Sequence, residues 1–185
     1  ILIISGHLPP LYSKKHFNIT KKECELSSLK LGIKQKPKFL KIPATKINEY
    51  PSNKLNDTIK KFITDNESDL VCIPFPDRHI DHKIVFDSCM VATRPVGKHH
   101  PKLIMCYETL SETNWNAPFI EPNFTPNLFL NIDKEIEMKV KAMEIYKSQF
   151  VDSRSSEAIR SLAKFRGSQN GYSYAEAFQV VRHLL

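Results

Sequence analysis

The chain has 185 residues, of which 41% are hydrophobic and 25% are charged. That length fits one domain, here 1–185, and the apolar fraction is sufficient for an ordinary core. No apolar run approaches the roughly 18 residues of a transmembrane helix, so we expect no membrane span. The net charge of +7 is compatible with nucleic acid, but the lysines are scattered and no nucleic-acid module is recognisable. We therefore expect no nucleic-acid partner.

Cysteine usage indicates a reducing compartment. None of the cysteines has CxxC spacing, and each lies in an apolar or helical pattern: Cys24, Cys72, Cys89 and Cys106. This pattern predicts buried, reduced thiols and a cytoplasmic location. No signal peptide is visible, because the apolar segment 1–5 is too short and has no basic residues before it.

Predicted strands and helices alternate along the first half of the chain. A buried strand at 1–5 is broken by Gly6, and Thr20 with Glu23 forms a capping box for a helix that stops at Gly32. A short strand, an amphipathic helix, a buried strand and another helix follow, at 39–42, around 55–63, at 70–73 and at about 81–92.

The second half continues this alternation. A buried strand at 103–107 precedes a loop, 111–126, that holds three prolines and shows no periodicity; loops of that length are usually functional. A strand at 128–132 and three helices follow, the helices from 133, at 156–165 and at 174–183. The order predicts an α/β fold, a Rossmann-like three-layer sandwich with a mostly parallel sheet. We expect 1–5, 70–73 and 103–107 to be neighbouring parallel strands.

The densest group of ionisable side chains comes directly after the strand at 70–73. A proline-rich turn ends that strand and is followed within six residues by Asp77, Arg78, His79, Asp81 and His82. The carboxyl end of a strand is where α/β sheets place their chemistry. His79 and His82 are three residues apart, so in a first helical turn they face roughly the same side.

Two imidazoles and one carboxylate permit more than one interpretation. His79, Asp81 and His82 are able to supply part of a zinc site, or one metal ligand with a general acid and its orienting partner. The plainer alternative is a helix start with polar residues, in which Asp81 interacts favourably with the helix dipole.

The segment from Pro76 to His82, followed by a helix with an alanine near its end, resembles the second motif of the LmbE/PIG-L family of zinc-dependent N-acetylglucosaminyl deacetylases. Further segments resemble family features in the same order: Leu31-Gly32-Ile33, Tyr146-Lys147-Ser148-Gln149, and Arg166-Gly167 with Gly171 and 174–178.

This resemblance implies a role for each residue of the motif. His82 matches a zinc ligand, and His79 matches the histidine that acts as general acid or stabilises the tetrahedral intermediate. Asp81 matches the carboxylate that orients and tunes an active-site histidine. The implied reaction is metal-assisted hydrolysis of a non-peptide amide, with Zn²⁺ or another divalent metal as cofactor. The implied partner is a small N-acetylglucosamine-type amino sugar or its conjugate.

The first motif of the family, Ala-His-Pro-Asp-Asp-Glu, has no counterpart in this chain. In the family it supplies the other two zinc ligands and the general base, whereas His-Leu-Pro-Pro at 7–10 lacks both carboxylates. We therefore expect a domain that lacks its first strand-turn-helix unit, and activity only as a longer chain. The alternative is a non-catalytic sugar- or nucleotide-binding relative that has lost this motif.

Four residues are predicted to contact substrate. Asp77 and Arg78 could bind sugar hydroxyls or cap the turn, and Tyr107 ends the strand at 103–107. Trp115, in the loop 111–126, could stack on a sugar ring. The sequence leaves a homo-oligomer open.

Overall fold

The structure is a computed structural model that describes residues 1–97 and 99–185. The described residues form, in chain order, β1 Leu2–Gly6, α1 Lys14–Lys30, β2 Lys38–Pro43, α2 Ser52–Asp65, β3 Leu70–Pro74, α3 Ile80–Ala92, β4 Leu103–Tyr107, β5 Leu128–Asn131, α4 Ile136–Glu144, α5 Ser156–Ser168 and β6 Ala175–His183. Strands β1 and β2 form one sheet, and β3, β4, β6 and β5 form a second in that order. The predicted α/β class is confirmed.

The chain divides into two compact units. The first consists of Ile1–Ala44 and Phe129–Glu176. In it β1 and β2 pair in parallel, and α4 contacts both α1 and α5. The Ser27 hydroxyl of α1 donates to the Ala142 carbonyl of α4 at 2.9 Å. The core of this unit contains Ile4, Phe17, Cys24, Ile42, Ile132, Ile136, Val140, Ala142, Ile159, Ala163 and Ala175.

The second unit consists of Thr45–Leu128 and Ala177–Leu185. Strand β3 runs parallel to β4, from Leu70 opposite Leu103 to Pro74 opposite Tyr107, and β6 is antiparallel to β4. Helix α3 packs against α2 and β3. Because β3 and β4 are parallel, the turn after Pro74 and the residue Tyr107 lie at the same edge of the sheet.

Three sequence-based expectations were wrong. The segment 174–183 is not a helix, because Ala175–His183 forms β6. Strand β1 pairs with β2 rather than with β3 or β4. Helix α1 begins at Lys14 with Ser13 as its N-cap, so Thr20 is an interior residue, and Glu23 instead accepts from the Ser148 N–H at 3.0 Å.

Two further expectations concern the exposure of the cysteines and the presence of a membrane span. All four cysteines are free thiols, and three are buried, but Cys72 is exposed, contrary to expectation. Within 1–97 and 99–185, no helix is both long and apolar enough to cross a membrane. The cytoplasmic location stays a prediction.

Candidate metal and catalytic site

The turn between β3 and α3 places the predicted residues around one buried carboxylate. Asp77 has no exposed surface, and its Oδ1 accepts from the His79 backbone N–H at 3.0 Å and lies 2.8 Å from His82 Nδ1. Its Oδ2 accepts from the Thr113 hydroxyl at 2.9 Å. Both oxygens are therefore satisfied inside the protein, which favours a role for Asp77 in orienting other groups over the predicted contact with substrate.

His82 is held by this carboxylate in one orientation. With Asp77 as acceptor, His82 carries its proton on Nδ1, so Nε2 keeps a lone pair. A ligating histidine is typically oriented in this way, by a carboxylate bound to its other nitrogen. The His82 side chain is 22% exposed, whereas Asp77 is fully buried. The geometry therefore suits His82 for its predicted role as a metal ligand through Nε2.

Opposing effects act on the ionisation of Asp77. Burial alone would raise its pKa, but the hydrogen bonds from His82, the His79 backbone and Thr113, with the nearby His82 charge, lower it below its ordinary value. A lowered pKa means that the carboxylate form is the one the surrounding donors stabilise. Asp77 is therefore an anion at neutral pH, which is the state that orients and polarises His82.

His79 begins helix α3 as its N-cap. Its Nδ1 accepts from the Asp81 backbone N–H at 3.2 Å, a task usually performed by Ser, Thr, Asp or Asn. Because Nδ1 is an acceptor, the neutral ring carries its proton on Nε2. The ring also stacks on His82, with centroids 4.7 Å apart and planes at 25°. The cap and the stack together fix its position.

Asp81 lies in a different environment from the one that the resemblance implied. Its side chain is 2% exposed, and Oδ2 accepts from the Thr45 N–H at 2.9 Å. Its contact with His79 is made by its own backbone N–H, and Asp77 is the carboxylate that orients His82. Asp81 Oδ1 is buried without a hydrogen-bond partner among the described residues.

Arg78 contributes to an exposed network beside the turn. It pairs with Glu121 Oε2 at 3.3 Å, while Lys83 pairs with Glu121 Oε1 at 3.1 Å. Glu121 also accepts from the Ala117 N–H at 2.9 Å, and these donors lower its pKa, the Ala117 contact most. Arg78 thus anchors the loop 111–126 to the turn, and its guanidinium is half-exposed.

The aromatic candidates lie around the same edge. Tyr107 is 39% exposed at the end of β4, and Trp115 is 63% exposed in a short 3₁₀ helix, Thr113–Trp115. Thr113, which the sequence analysis did not identify, is 3% exposed and connects this helix to Asp77. Its only sequence signal is its place in an aperiodic loop. The loop therefore presents Trp115 while Thr113 holds the carboxylate that orients His82.

The donors present fit one metal ligand but do not complete a metal site. His82 Nε2 has the orientation and tautomer of a ligand, and a catalytic zinc typically has three protein ligands. Among the described residues, no three His, Cys, Asp or Glu side chains come together in a group able to hold a metal ion.

The comparisons with known proteins place the fold. No model of a protein family matches the sequence, and no curated protein matches it. Among solved structures, the chain resembles the N,N'-diacetylchitobiose deacetylase of Pyrococcus horikoshii, with a TM-score of 0.73 and 21% identity over 97% of this chain and 71% of that one. It also resembles a zinc-inhibited form of the teicoplanin deacetylase Orf2, with a TM-score of 0.67 and 15% identity over 98% and 87%.

A third structure of the same fold has a different activity. The 4-carboxy-2-hydroxymuconate hydratase GalB of Pseudomonas putida KT2440 matches with a TM-score of 0.67 and 17% identity, over 96% of this chain and 77% of that one. At such identities the likeness establishes the fold, and the activity has to be argued from the site. The resemblance to the LmbE/PIG-L deacetylases that the motifs predicted is thereby confirmed at the level of the fold: the chain has the fold of these deacetylases.

Proposed function

We propose that this protein is a metal-dependent N-deacetylase that removes the acetyl group from an N-acetylglucosamine-type amino sugar or its conjugate. The observation that carries the proposal is the pair formed by buried Asp77 and His82, whose 2.8 Å contact leaves His82 Nε2 with a free lone pair. The fold shared with two deacetylases, one of them described as inhibited by zinc, supports it.

His82 would hold the ion, which we propose to be Zn²⁺. When bound, such an ion lowers the pKa of its water to about 7 and polarises the acyl carbonyl. Asp77 contributes by holding the His82 proton on Nδ1, which keeps Nε2 basic. We expect the other two ligands and the general base from a His-Pro-Asp-Asp run outside the 185 residues.

His79 is the proposed general acid or oxyanion stabiliser. Its Nδ1 accepts from Asp81, so its proton is on Nε2, the nitrogen that can donate to a developing oxyanion or to the leaving amine. The N-cap bond and the stack on His82 hold the ring in place before substrate arrives. Asp81 then acts mainly through its backbone N–H, as a positioning residue for His79.

Substrate contacts are proposed for three exposed groups at this edge of the sheet. Tyr107 and Trp115 offer aromatic faces for a sugar ring, and the Arg78 guanidinium offers hydrogen-bond donors for its hydroxyls. Of these, Trp115 is the most exposed, at 63%. Asp77 takes no part in this contact in our proposal, since both of its oxygens are engaged within the protein.

The proposal is tested by measuring bound zinc and acetate release together, on the gene product that carries the upstream sequence. His82→Ala is expected to lose zinc, because it removes a ligand. His79→Ala is expected to keep zinc while turnover of an N-acetylglucosaminide falls by roughly 10² to 10⁴. His183→Ala, an exposed histidine at the end of β6, is the matched control and should change neither quantity. Normal turnover by the His79 variant would contradict its role.

A non-catalytic sugar-binding relative is the second candidate. The observation that favours it is the lack, among the described residues, of a three-membered metal-binding group, together with the hydratase that shares the fold. The two candidates differ in metal content and in acetate release. A protein that binds N-acetylglucosamine saturably, holds no stoichiometric metal and releases no acetate in any length encoded by the gene belongs to the second class.

A further inference from the structure

We propose that His7, His16 and Arg154 form a binding site for a phosphate-class oxyanion in the first unit. These residues, with Tyr12 and Gln149, are called the His7 cluster below. The inference does not rest on the proposed deacetylase activity, since it concerns residues that take no part in the site around Asp77. It follows from the ring packing, the hydrogen-bond directions and the charges within this unit.

Three rings pack together after strand β1. The His7 ring centroid lies 4.2 Å from that of Tyr12 and 4.9 Å from that of His16. Tyr12 and His16 stack with centroids 5.2 Å apart and planes at 23°. His7 directly follows Gly6, the last residue of β1, so the cluster begins at the carboxyl end of a parallel strand, where α/β proteins commonly bind ligands.

Gln149 orders the polar groups of the cluster. Its amide Nε2 donates to His7 Nδ1 at 3.3 Å, while its Oε1 accepts from the Arg154 guanidinium at 3.4 Å. Because an amide nitrogen is only a donor, His7 Nδ1 is an acceptor and the ring proton lies on Nε2. His7 and Arg154 therefore both keep N–H groups that a ligand can use.

Among the described residues, no carboxylate pairs directly with the cationic side chains of the cluster: no Asp or Glu lies within ion-pair distance of His7, His16 or Arg154. Glu23 is one step removed, since it accepts from the Ser148 N–H and hydroxyl, and the hydroxyl oxygen lies 3.3 Å from Gln149 Nε2. Arg154 Nε is buried and has no hydrogen-bond partner in the described part of the chain. A buried guanidinium donor without an acceptor is costly, and a bound anion would supply one.

Burial and the neighbouring positive charges both act on the pKa of His7. Burial lowers its pKa most, and the charges of His16 and Arg154 lower it further. An anion between these groups would reverse the second effect, because it would be attracted to all three. The cluster is therefore expected to bind an anion more favourably than a cation.

The start of helix α1 adds to the same field. Its first turn carries Lys14, Lys15 and His16 and contains no acidic residue. Cations at this end of a helix oppose the macrodipole, whereas an anion is favoured there and can use the free N–H groups of the first turn.

The donors favour a phosphate-class group over a cation or an apolar ligand. The cluster contains imidazole, guanidinium and amide N–H groups, and it has no thiolate or carboxylate that would hold a metal. A tetrahedral oxyanion offers several acceptor oxygens at once and can satisfy separated donors of this kind. The source of the group is either free inorganic phosphate or the phosphate of a sugar phosphate.

The test is a calorimetric titration of the 185-residue chain with inorganic phosphate at constant ionic strength. We expect saturable binding at one site per chain. Arg154→Gln should weaken it about tenfold or more, since losing a charge-assisted hydrogen bond removes about 1.5 to 3 kcal/mol. His16→Asn, which leaves the Gln149 bridge intact, should weaken it as well. Arg160→Gln is the matched control, because Arg160 is paired with Glu137, and should leave the affinity unchanged.

Two further arms identify the source of the anion. If N-acetylglucosamine 6-phosphate displaces inorganic phosphate and binds more tightly, the site is assigned to a sugar phosphate. If inorganic phosphate binds more tightly than the sugar phosphate, the site is assigned to the free ion. Unphosphorylated N-acetylglucosamine should displace neither inorganic phosphate nor the sugar phosphate. Circular dichroism melting curves establish that each variant is folded. Unsaturable binding of both phosphates, or equal weakening by Arg154→Gln and Arg160→Gln, would overturn the proposal.

Discussion

Two turns in this molecule each follow a parallel strand and each bring two histidine rings together, yet they suit opposite charges. After β3, the Nδ1 of His82 faces the carboxylate of Asp77. After β1, the Nδ1 of His7 faces the amide nitrogen of Gln149. The first partner accepts a hydrogen bond from Nδ1–H and leaves a basic Nε2 for a cation. The second donates a hydrogen bond to Nδ1 and leaves an Nε2–H for an anion. The partner of one ring nitrogen thus decides what the other can bind.

Removal of the carboxylate should have the largest effect on stability. Asp77→Ala leaves the His82 Nδ1–H, the His79 N–H and the Thr113 hydroxyl without their acceptor in a buried place. A buried donor left without its acceptor costs about 1 to 3 kcal/mol, and because three donors lose theirs we expect a loss of at least that size in the free energy of unfolding by urea. Asp87→Ala, on the exposed side of α3, should change it by less than about 0.5 kcal/mol.

Removal of one donor to the same carboxylate should cost less. Thr113→Val keeps the shape of the side chain but leaves Asp77 Oδ2 without its 2.9 Å donor and the Thr109 N–H without its 2.7 Å acceptor. An unsatisfied buried acceptor costs about 1 to 3 kcal/mol, measurable in the same urea experiment. Thr58→Val removes an exposed hydroxyl that donates to the Lys54 carbonyl within its own helix, and it should have little effect. Equal losses from both variants would mean that Thr113 does not support Asp77.

Replacing Gln149, the partner of His7, by a carboxylate should make the site less suited to an anion and more suited to a cation. Gln149→Glu places a carboxylate between His7 and Arg154, as Asp77 stands beside His82. We expect the affinity for inorganic phosphate to fall by about tenfold or more, because the new carboxylate pairs with Arg154 and repels the anion. The pKa of His7, followed by NMR, should rise. An unchanged phosphate affinity would show that the direction of this hydrogen bond is irrelevant.

The smallest expected effect is a pH dependence confined to the His7 cluster. The pKa of His7 in the folded chain lies below its ordinary value of 6.5, so the folded state binds this proton less readily than the unfolded one. The stabilising contribution is therefore present above pH 6.5 and is lost as the pH falls through the folded pKa. His16 and Arg154 are the charged groups that face it, with Tyr12 and Gln149 as neutral neighbours.

In phosphate-free buffer, urea unfolding should show that the stability of the native chain falls between pH 7.5 and 5.5. The His7→Gln variant should fall less over the same range. Asp77 does not contribute there, because its unfolded value of 3.8 and its lower folded value both lie below this range. Parallel slopes for the two chains would contradict the assignment to His7.

The residues of the β3 turn were identifiable from sequence because they are consecutive. A buried strand, two prolines and five ionisable residues mark a strand-to-helix junction by local pattern alone. The division of labour within the turn was not identifiable, because it depends on Thr45 and Thr113, which reach it from distant loops. The resemblance therefore implied the orienting role for Asp81, whereas the contacts place Asp77 against His82.

The fold class followed from the alternation of strands and helices, but one element was assigned to the wrong type. The segment Ala175–His183 begins with Ala-Glu-Ala, residues with high helix propensity, although it forms a strand. In the structure its pairing with β4 buries Ala177 and Phe178. Tertiary burial decided the outcome, as is usual for β-structure. The start of α1 was missed for a simpler reason: Ser13 is an equally good cap seven residues earlier.

The two threonines that hold the β3 turn carry a consequence for the order of folding. Thr45 bonds to Asp81 across 36 residues on one side, and Asp77 bonds to Thr113 across 36 residues on the other. Closing each loop costs on the order of 3 kcal/mol of chain entropy in the length-dependent part alone. A peptide of residues 70–92 would therefore lack both anchors and sample many arrangements of its histidines. The full set of hydrogen bonds to Asp77 and Asp81 is complete only when both flanking segments have folded onto the turn.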